Sequence, residues 1–251
     1  MPRSPALLRR GAGLVLAALL AFAPLPALRA ETMKTAAPPA TRDFIAPDAI
    51  DWRALLTPPP APDSIVARGE QELMRHLQEV RTPEQAKLAK YYEDLTIFRM
   101  LAPVLGDWCT AENLPRTAAV FRQAYAEARP AITGAKASWT RERPYTFDAA
   151  IQPVVDRPNN TSYPSGHSAE AALFAALLTE LLPEHAADWQ RQSALVRWSR
   201  IVGGAHYPSD VVAGQLLGEA LAREMLKSPK LRQALEEVRA ELAARRQKKA
   251  A

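Results

Sequence analysis

Two histidines in the second half of the chain have neighbours that suit nucleophilic and acid–base chemistry. His206 precedes Asp210 by four residues, and the intervening Tyr207-Pro208-Ser209 indicates a loop that enters a helix. An aspartate at that helix start could accept a hydrogen bond from one ring nitrogen of His206, which leaves the other nitrogen free to attack phosphorus. The helix dipole alone would also favour an acid at position 210, and the two explanations are compatible. His167 would then be the general acid.

Three cations and a serine–glycine pair could bind a phosphate beside these histidines. The cations are Lys136, Arg143 and Arg200. A phosphate dianion needs several donors to replace its water, and arginine offers a planar fork where lysine offers a point charge. Ser165 and Gly166 stand where a Pro/Asn-rich loop enters an apolar helix, whose first N–H groups have no partner within the helix. Taken singly, each cation would be interpreted as a surface residue and the pair as a turn, so the hypothesis rests on the set.

The three segments that carry these residues form a linked pattern. They are Lys136-x6-Arg143-Pro144, Pro164-Ser165-Gly166-His167 and Ser199-Arg200-x5-His206-x3-Asp210. In residue type, spacing and order, the pattern resembles the signature of the PAP2 phosphatase and vanadium haloperoxidase superfamily.

The resemblance implies a fold and a role for each residue. The fold is all-α, a single helical-bundle domain of the acid phosphatase/vanadium haloperoxidase type. His206 would be the nucleophile assisted by Asp210, with His167 as the acid/base. The phosphate ligands would be Lys136, Arg143, Ser165, Gly166 and Arg200. The phosphatase branch needs no metal and no other cofactor, whereas in the haloperoxidase branch the same pocket holds vanadate, which is expected to inhibit a phosphatase.

Within the superfamily, the sequence is most similar to the bacterial class A non-specific acid phosphatases. Residues 161–168 nearly match that class's Gly-Ser-Tyr-Pro-Ser-Gly-His-Thr and differ at the two end positions. Those enzymes often carry a cysteine shortly before the equivalent of His206, and here that stretch reads Val202-Gly203-Gly204. The differences leave the implied chemistry alone and bear on substrate range. The resemblance predicts hydrolysis of small-molecule phosphate monoesters through a phosphohistidine, and suggests a homo-oligomer.

Three other functions remain open from the sequence. The chain could be a vanadium-dependent haloperoxidase, a lipid or isoprenoid phosphate phosphatase working at a membrane surface, or a phosphate-binding protein without turnover. The short chain and the predicted signal peptide argue against the first. The presence of every proposed catalytic group argues against the last.

The elements that must position these residues are predicted to be helices throughout, with no competing strand pattern. Capping residues and apolar periodicity place them at about residues 64–80, 83–103, 115–130, 168–182, 186–202, 210–226 and 229–245, with Lys136 on a further helical segment. The first is predicted to bury an apolar stripe of Ile65, Leu73, Leu77 and Val80. The long irregular stretch 144–163 is interpreted as an active-site wall.

The N-terminus is predicted to be a secretory signal peptide spanning residues 1–30. Arg3, Arg9 and Arg10 form a basic region, residues 11–23 form an apolar region, and Ala30 marks the expected cleavage site. A transmembrane anchor is the alternative, but the apolar run is shorter than the ~20 residues that a span needs. Residues 31–62 are predicted to be an extended Pro-rich arm that docks through Trp52, Leu55 and Leu56, and residues 63–251 the PAP2-type domain. The expected location is the periplasm.

The charge balance and the remaining composition exclude several classes. Residues 1–30 hold four arginines and no acid, so the mature chain keeps 28 basic and 27 acidic residues, and no general argument for nucleic-acid binding survives. No stable membrane span is expected beyond the signal, because Glu170 and Glu180 interrupt the apolar run 169–182. Cys109 is the only cysteine, so an intramolecular disulfide is impossible, and the sequence shows no separate metal-binding cluster.

Overall fold

A computed structural model describes residues 43–250, so the predicted signal peptide and the first part of the arm lie outside the described residues. The helices are α1 Trp52–Leu55, α2 Ile65–Val80, α3 Pro83–Tyr91, α4 Ile97–Leu105, α5 Pro115–Ser138, α6 Pro144–Phe147, α7 Gly166–Leu181, α8 Ala186–Val202, α9 Pro208–Met225 and α10 Pro229–Ala250. A 3-10 turn, Pro183–His185, joins α7 to α8. Within residues 43–250 there is no strand, and the predicted all-α helical bundle is confirmed.

The centre of the bundle is α7, which is buried on nearly all sides and packs against α8 and α9. Two glycines of α9 allow the close approach. An ideal Cβ on Gly218 would lie 2.8 Å from the carbonyl carbon of Ala169 and closer still to its oxygen, and one on Gly214 would overlap the carbonyl oxygen of Ser165. The N-terminal ends of the two helices are tied together, because the Ser165 N–H donates to the Asp210 carbonyl at 2.9 Å. The two glycines therefore allow the segments that carry Ser165 and Asp210 to pack directly against each other.

A carboxylic acid lies inside this central helix. Glu170 is only 6 % exposed and lies next to Tyr125 of α5, although its charge had suggested an interruption of the apolar run. Burial raises the pKa of Glu170 to about 8. At neutral pH the folded protein therefore holds this group mainly as the neutral acid, which removes most of the cost of burying it.

The protonation of Glu170 predicts a pH-dependent effect of Glu170→Gln. The folded-state pKa lies above the unfolded value, so the stability from the bound proton is full below about pH 4.5 and is lost as pH rises toward 8. Between about pH 5 and 8, the free energy of unfolding of the wild type should fall relative to the variant by about 1.4 kcal/mol per pH unit. Urea unfolding at several pH values measures this. Glu180→Gln, at an exposed position of the same helix, should show no such slope; a flat or reversed difference for Glu170→Gln contradicts the assignment.

Two predicted helix boundaries are wrong, and both corrections matter for the site. The predicted helix 83–103 breaks into α3 and α4, because Thr96 adopts the extended backbone of an N-cap and residues 92–94 form a turn. The predicted stop near Pro130 does not occur, and α5 runs through it to Ser138. Ala128, Ala131 and Ile132 are buried around that proline, so packing outweighs the lost backbone hydrogen bond. Lys136 thus stands on one long helix.

The predicted inner stripe of α2 is also wrong. Ile65 and Val80 are 79 % and 51 % exposed, and the buried residues of this helix are Ala67, Glu70 and Met74. The helix is rotated from its apolar pattern because Glu70 pairs with polar groups of the bundle. The helix itself begins after its Ser64 cap as predicted.

The described part of the arm docks as predicted. Leu56 is buried and Trp52 lies against α5, with its ring 2.7 Å from where a Cβ on Gly134 would stand. The indole Nε1 donates to the Ser138 hydroxyl at 3.0 Å. The Thr57 carbonyl accepts from the Tyr163 hydroxyl at 2.5 Å, so the arm braces the loop before α7. No helix in residues 43–250 combines the length and the apolar character needed to cross a bilayer.

Candidate active site

His206 and Asp210 are in contact and buried. Asp210 lies in the first turn of α9 with its Oδ2 3.4 Å from His206 Nδ1. The same oxygen accepts from the Tyr207 N–H at 2.9 Å and from the Ser162 hydroxyl at 2.5 Å. Oδ1 accepts from Arg141 at 2.6 Å. A carboxylate that only accepts hydrogen bonds places the proton of His206 on Nδ1 and leaves a lone pair on Nε2.

The pKa values of this pair agree with that assignment. Burial lowers the pKa of His206 well below its ordinary value, so the ring is neutral. Burial alone would raise the pKa of Asp210, but the hydrogen bond from His206 and the charge of Arg141 reverse the shift and lower it. The pair is therefore a neutral imidazole beside an ionised carboxylate, as a nucleophile and its orienting acceptor require.

Arg143 stands at the other nitrogen of His206. Its Nη1 lies 3.2 Å from His206 Nε2 and donates to the Ala205 carbonyl at 2.9 Å. Its Nε and Nη2 donate to the backbone and side-chain oxygens of Asn160 at 3.0 and 2.6 Å. A phosphorus atom in line with Nε2 would therefore have a guanidinium beside it.

His167 occupies the first turn of α7, with its Nε2 2.8 Å from the Glu93 carbonyl oxygen. A carbonyl can only accept, so Nε2 carries a proton and Nδ1 is the nitrogen left for a ligand. Burial and the charge of Arg200 lower the pKa of His167 to about 3. The Glu93 carbonyl lies in the turn between α3 and α4. Because the sequence predicted a continuous helix there, this contact with His167 was not predicted.

The predicted phosphate cations lie together without enough acids to pair them. Arg200 is 3 % exposed, and its Nε and Nη1 have no hydrogen-bond partner among the described residues. Burial and the charge of Arg143 lower the pKa of Arg200 to about 10 and that of Lys136 to about 7. Lys136 Nζ donates to the Thr161 carbonyl at 2.9 Å. Buried cations that repel one another favour an anionic ligand.

Ser165 and Gly166 differ in what they offer. The Ser165 side chain caps α7 and receives hydrogen bonds from the Ser168 N–H at 3.4 Å and the Ser168 hydroxyl at 3.0 Å. A Cβ on Gly166 would meet nothing nearer than 3.9 Å, and one of the two atoms at that distance is Lys136 Cε. Gly166 thus faces the cation cluster, whereas the Ser165 hydroxyl is engaged in the cap.

All eight predicted site residues converge on this region, and sequence reasoning missed several residues that support them. Arg141, Ser162, Asn160 and Glu93 hold the predicted residues in place through the contacts given above. Arg141 lies inside the segment that runs from Lys136 to Pro144, and Ser162 lies two residues before Pro164, but only the folded structure shows their partners. Within residues 43–250, no group of three or more His, Cys, Asp or Glu side chains is arranged to hold a metal ion.

Comparison with known proteins identifies the class to which this helical fold and this site belong. The family model described as "PAP2 superfamily" matches residues 120–233. The acid phosphatase of Zymomonas mobilis is 31 % identical over 198 residues, which cover 74 % of this chain and 74 % of that protein. The non-specific acid phosphatase of Salmonella typhimurium is 28 % identical over 233 residues, which cover 89 % and 91 %. The chain belongs to the PAP2 superfamily, and it is a phosphatase.

Solved structures share the fold. The first bacterial vanadium-dependent iodoperoxidase superposes with a TM-score of 0.55 at 19 % identity, covering 72 % of this chain and 54 % of that one. A transmembrane PAP2-type phosphatidylglycerolphosphate phosphatase from Bacillus subtilis gives a TM-score of 0.50 at 21 % identity, covering 66 % and 87 %. At these identities the likeness concerns the fold alone.

Proposed function

We propose that this phosphatase hydrolyses small-molecule phosphate monoesters through a phosphohistidine on His206, without a metal and best below neutral pH. The observation that carries the proposal is the placement of the His206 ring, with Nδ1 against the Asp210 carboxylate and Nε2 beside the buried Arg143 guanidinium. Arg200, with two unpaired nitrogens among the described residues, is the cation most in need of a ligand.

In the first step, the substrate phosphate lies among Lys136, Arg143 and Arg200, which offset its charge. The Nε2 lone pair of His206 forms a bond to phosphorus as the bond to the ester oxygen breaks. Asp210 stabilises the positive charge that develops on the ring. His167 donates a proton from Nδ1 to the departing oxygen, so an alcohol leaves rather than an alkoxide.

In the second step, water attacks the phosphohistidine and His167 takes its proton. The bond between Nε2 and phosphorus breaks, which restores neutral His206 and releases inorganic phosphate. The proton taken from water leaves His167 protonated for the next turnover. Each residue returns to its initial state, and no oxidant, reductant or metal enters the balance.

The pH dependence follows from the charges around His167. Burial lowers the pKa of His167 to about 3, and the charges of Arg200, Arg143 and Lys136 contribute to the shift. A bound phosphate dianion offsets those cations and therefore raises this pKa toward the working range. Falling pH favours protonated His167 while His206, with its low pKa, can still attack. Turnover should therefore be highest below neutral pH, and an optimum above pH 8 would contradict the assignment.

The proposed location is the periplasm, after removal of residues 1–30. The predicted signal peptide supports this, with the arm 31–62 and the phosphatase domain 63–251 forming the mature protein. Activity in the periplasmic fraction, with a mature N-terminus near residue 31, is the expected result. The homo-oligomer suggested by the family resemblance is to be measured by light scattering on the same preparation.

The test of the reaction is turnover of p-nitrophenyl phosphate by residues 31–251 in the presence of EDTA. We expect activity that survives EDTA, is inhibited by vanadate and leaves an acid-labile, alkali-stable phosphoenzyme that rapid quenching in alkali preserves. Activity that EDTA removes would contradict the metal-free mechanism. Oxidation of halide with vanadate and peroxide, at a rate above that of ester hydrolysis, would instead favour a haloperoxidase.

A further inference from the structure

A buried ion network reaches Asp210 from α2. Arg141 Nη1 lies 2.6 Å from Asp210 Oδ1, and its Nη2 lies 2.6 Å from Glu70 Oε2. The three side chains are almost completely buried. The Arg141 guanidinium also lies 4.2 Å from the centre of the Tyr207 ring. One arginine therefore bridges two carboxylates in a site from which water is largely excluded.

Ser209 closes the network into a clamp on the start of α9. Its N–H donates to Glu70 Oε1 at 2.7 Å, and its hydroxyl donates to Glu70 Oε2 at 3.0 Å. Arg141 Nη1 donates to the Ser209 hydroxyl oxygen at 2.7 Å. The first turn of α9, which carries Asp210, is thus held to α2 through Glu70. This pairing also accounts for the rotation of α2 away from its apolar stripe.

Arg141 directs its two terminal nitrogens into this network. Both of its terminal nitrogens are engaged by carboxylates, in contrast to Arg200, which has two unpaired nitrogens among the described residues. A hydrogen bond to Oδ1 also fixes the plane of the Asp210 carboxylate, so that Oδ2 is turned to His206 Nδ1. The contacts of Arg141 therefore act on the carboxylate that orients the nucleophile.

We propose that Arg141, held by Glu70, is a positioning residue that keeps Asp210 ionised and aligned on His206 Nδ1. The proposal rests on the proposed function, because it takes His206 as the nucleophile. A buried carboxylate keeps its charge only when it is paired and hydrogen-bonded. Loss of Arg141 would allow Asp210 to be protonated at acidic pH, and His206 would then lose the acceptor that fixes its tautomer.

The charged and titratable groups that face Asp210 set the size of the effect. They are His206, Arg141, Lys136, Arg143, Tyr163 and Tyr207. Lys136 and Arg143 remain when Arg141 is removed, so part of the stabilisation of the carboxylate persists. The acid limb of the pH–kcat profile should move upward by roughly one pH unit or more, as expected for loss of one nearby opposite charge.

The kinetic test compares Arg141→Met, Arg141→Lys and Glu70→Gln in the mature protein. For Arg141→Met we expect kcat to fall about 10- to 100-fold with KM nearly unchanged, the range found for residues that orient a reacting group. Arg141→Lys should recover part of the loss because it restores the charge. Glu70→Gln, which keeps the shape and leaves the charge of Arg141 beside Asp210, should give a smaller loss of kcat and no upward shift of the acid limb.

Arg75→Met is the matched control, since Arg75 lies on α2 and pairs with Asp148 at the surface. It should leave kcat, KM and the pH profile unchanged. A folded Arg141→Met protein with wild-type kcat and an unmoved acid limb would overturn the proposal. A rise in KM alone would overturn it as well, because that result would make Arg141 a substrate ligand.

A readout that does not depend on turnover separates this proposal from the proposed function. The His206 Nδ1 proton, hydrogen-bonded to a carboxylate, should give a downfield proton resonance that His206→Ala removes. In Arg141→Met this resonance should disappear at a higher pH than in the wild type as the solution is acidified, whereas Glu70→Gln, which keeps Arg141, should not raise the midpoint. An unchanged midpoint in Arg141→Met overturns the role of Arg141, whereas full turnover by His206→Ala overturns the phosphohistidine and leaves this measurement standing.

Discussion

Replacing His206 by alanine is expected to reduce turnover of p-nitrophenyl phosphate by roughly 10⁴-fold or more, the scale seen when a covalent nucleophile is removed. Within residues 43–250, only His206 combines an orienting carboxylate at Nδ1 with a second nitrogen that faces the buried cations. His167 cannot replace it, because its Nε2 is directed at the Glu93 carbonyl and its ring lacks a carboxylate partner among the described contacts. The phosphoenzyme trapped by alkaline quenching should disappear together with the activity.

The comparison needs a histidine that is not in the site. His76 lies exposed on α2, and His76→Ala should retain full turnover and the trapped phosphoenzyme. Phosphate or vanadate binding to His206→Ala should survive, since the cations of the site are untouched. Substantial turnover by a folded His206→Ala protein would remove the nucleophile from the proposed mechanism.

Gly218→Ala is expected to destabilise the protein by about 3 kcal/mol, at the upper end of the usual cost of overpacking. The added methyl would meet the backbone of Ala169 rather than the end of a flexible side chain. Relief therefore requires α9 to move away from α7, which separates Asp210 from the end of the helix that carries His167. Urea unfolding gives the loss of stability, and kcat of the remaining folded protein gives the loss of alignment.

Gly69→Ala is the control, and its expected effect on the free energy of unfolding has the opposite sign. Gly69 is an exposed residue within α2, and a Cβ there would meet no atom within 4 Å among the described residues. Since glycine disfavours a helix interior, this substitution should stabilise the protein by about 0.5–1 kcal/mol. Equal effects of the two substitutions would mean that the glycine of α9 is not required for close helix packing.

The sequence allowed the eight candidate site residues to be predicted because their information is local. The segments ending at Arg143, His167 and Asp210 each carry a fixed spacing, and turn or cap residues indicate where the helices begin. The structure brings these segments together and fixes their hydrogen-bond directions. Spacing did not reveal that the Ser165 hydroxyl serves the helix cap.

The residues that support the site could not be predicted because their partners are distant in sequence. Glu70 meets Arg141 across 71 positions, and the Glu93 carbonyl meets His167 across 74. An apolar periodicity also gave the wrong face of α2, since this helix buries Glu70 against Arg141 and leaves Ile65 and Val80 at the surface. The helix end predicted at Pro130 was wrong for a similar reason, because burial of the residues on both sides of this proline keeps α5 continuous.

The docking of the N-terminal arm has a consequence for the order of folding. Trp52 reaches Ser138 across 86 residues, Thr57 reaches Tyr163 across 106, and the Asp43 carbonyl reaches Ser228 across 185. The part of the domain that is synthesised first therefore has its partners only after most of the chain exists. Long-range contacts form late because ordering the intervening chain is entropically unfavourable. The arm should be among the last segments to gain protection from hydrogen exchange during refolding. Catalytic activity should appear at the same time, because docking of the arm completes the support of Tyr163, which lies just before Ser165 and Gly166.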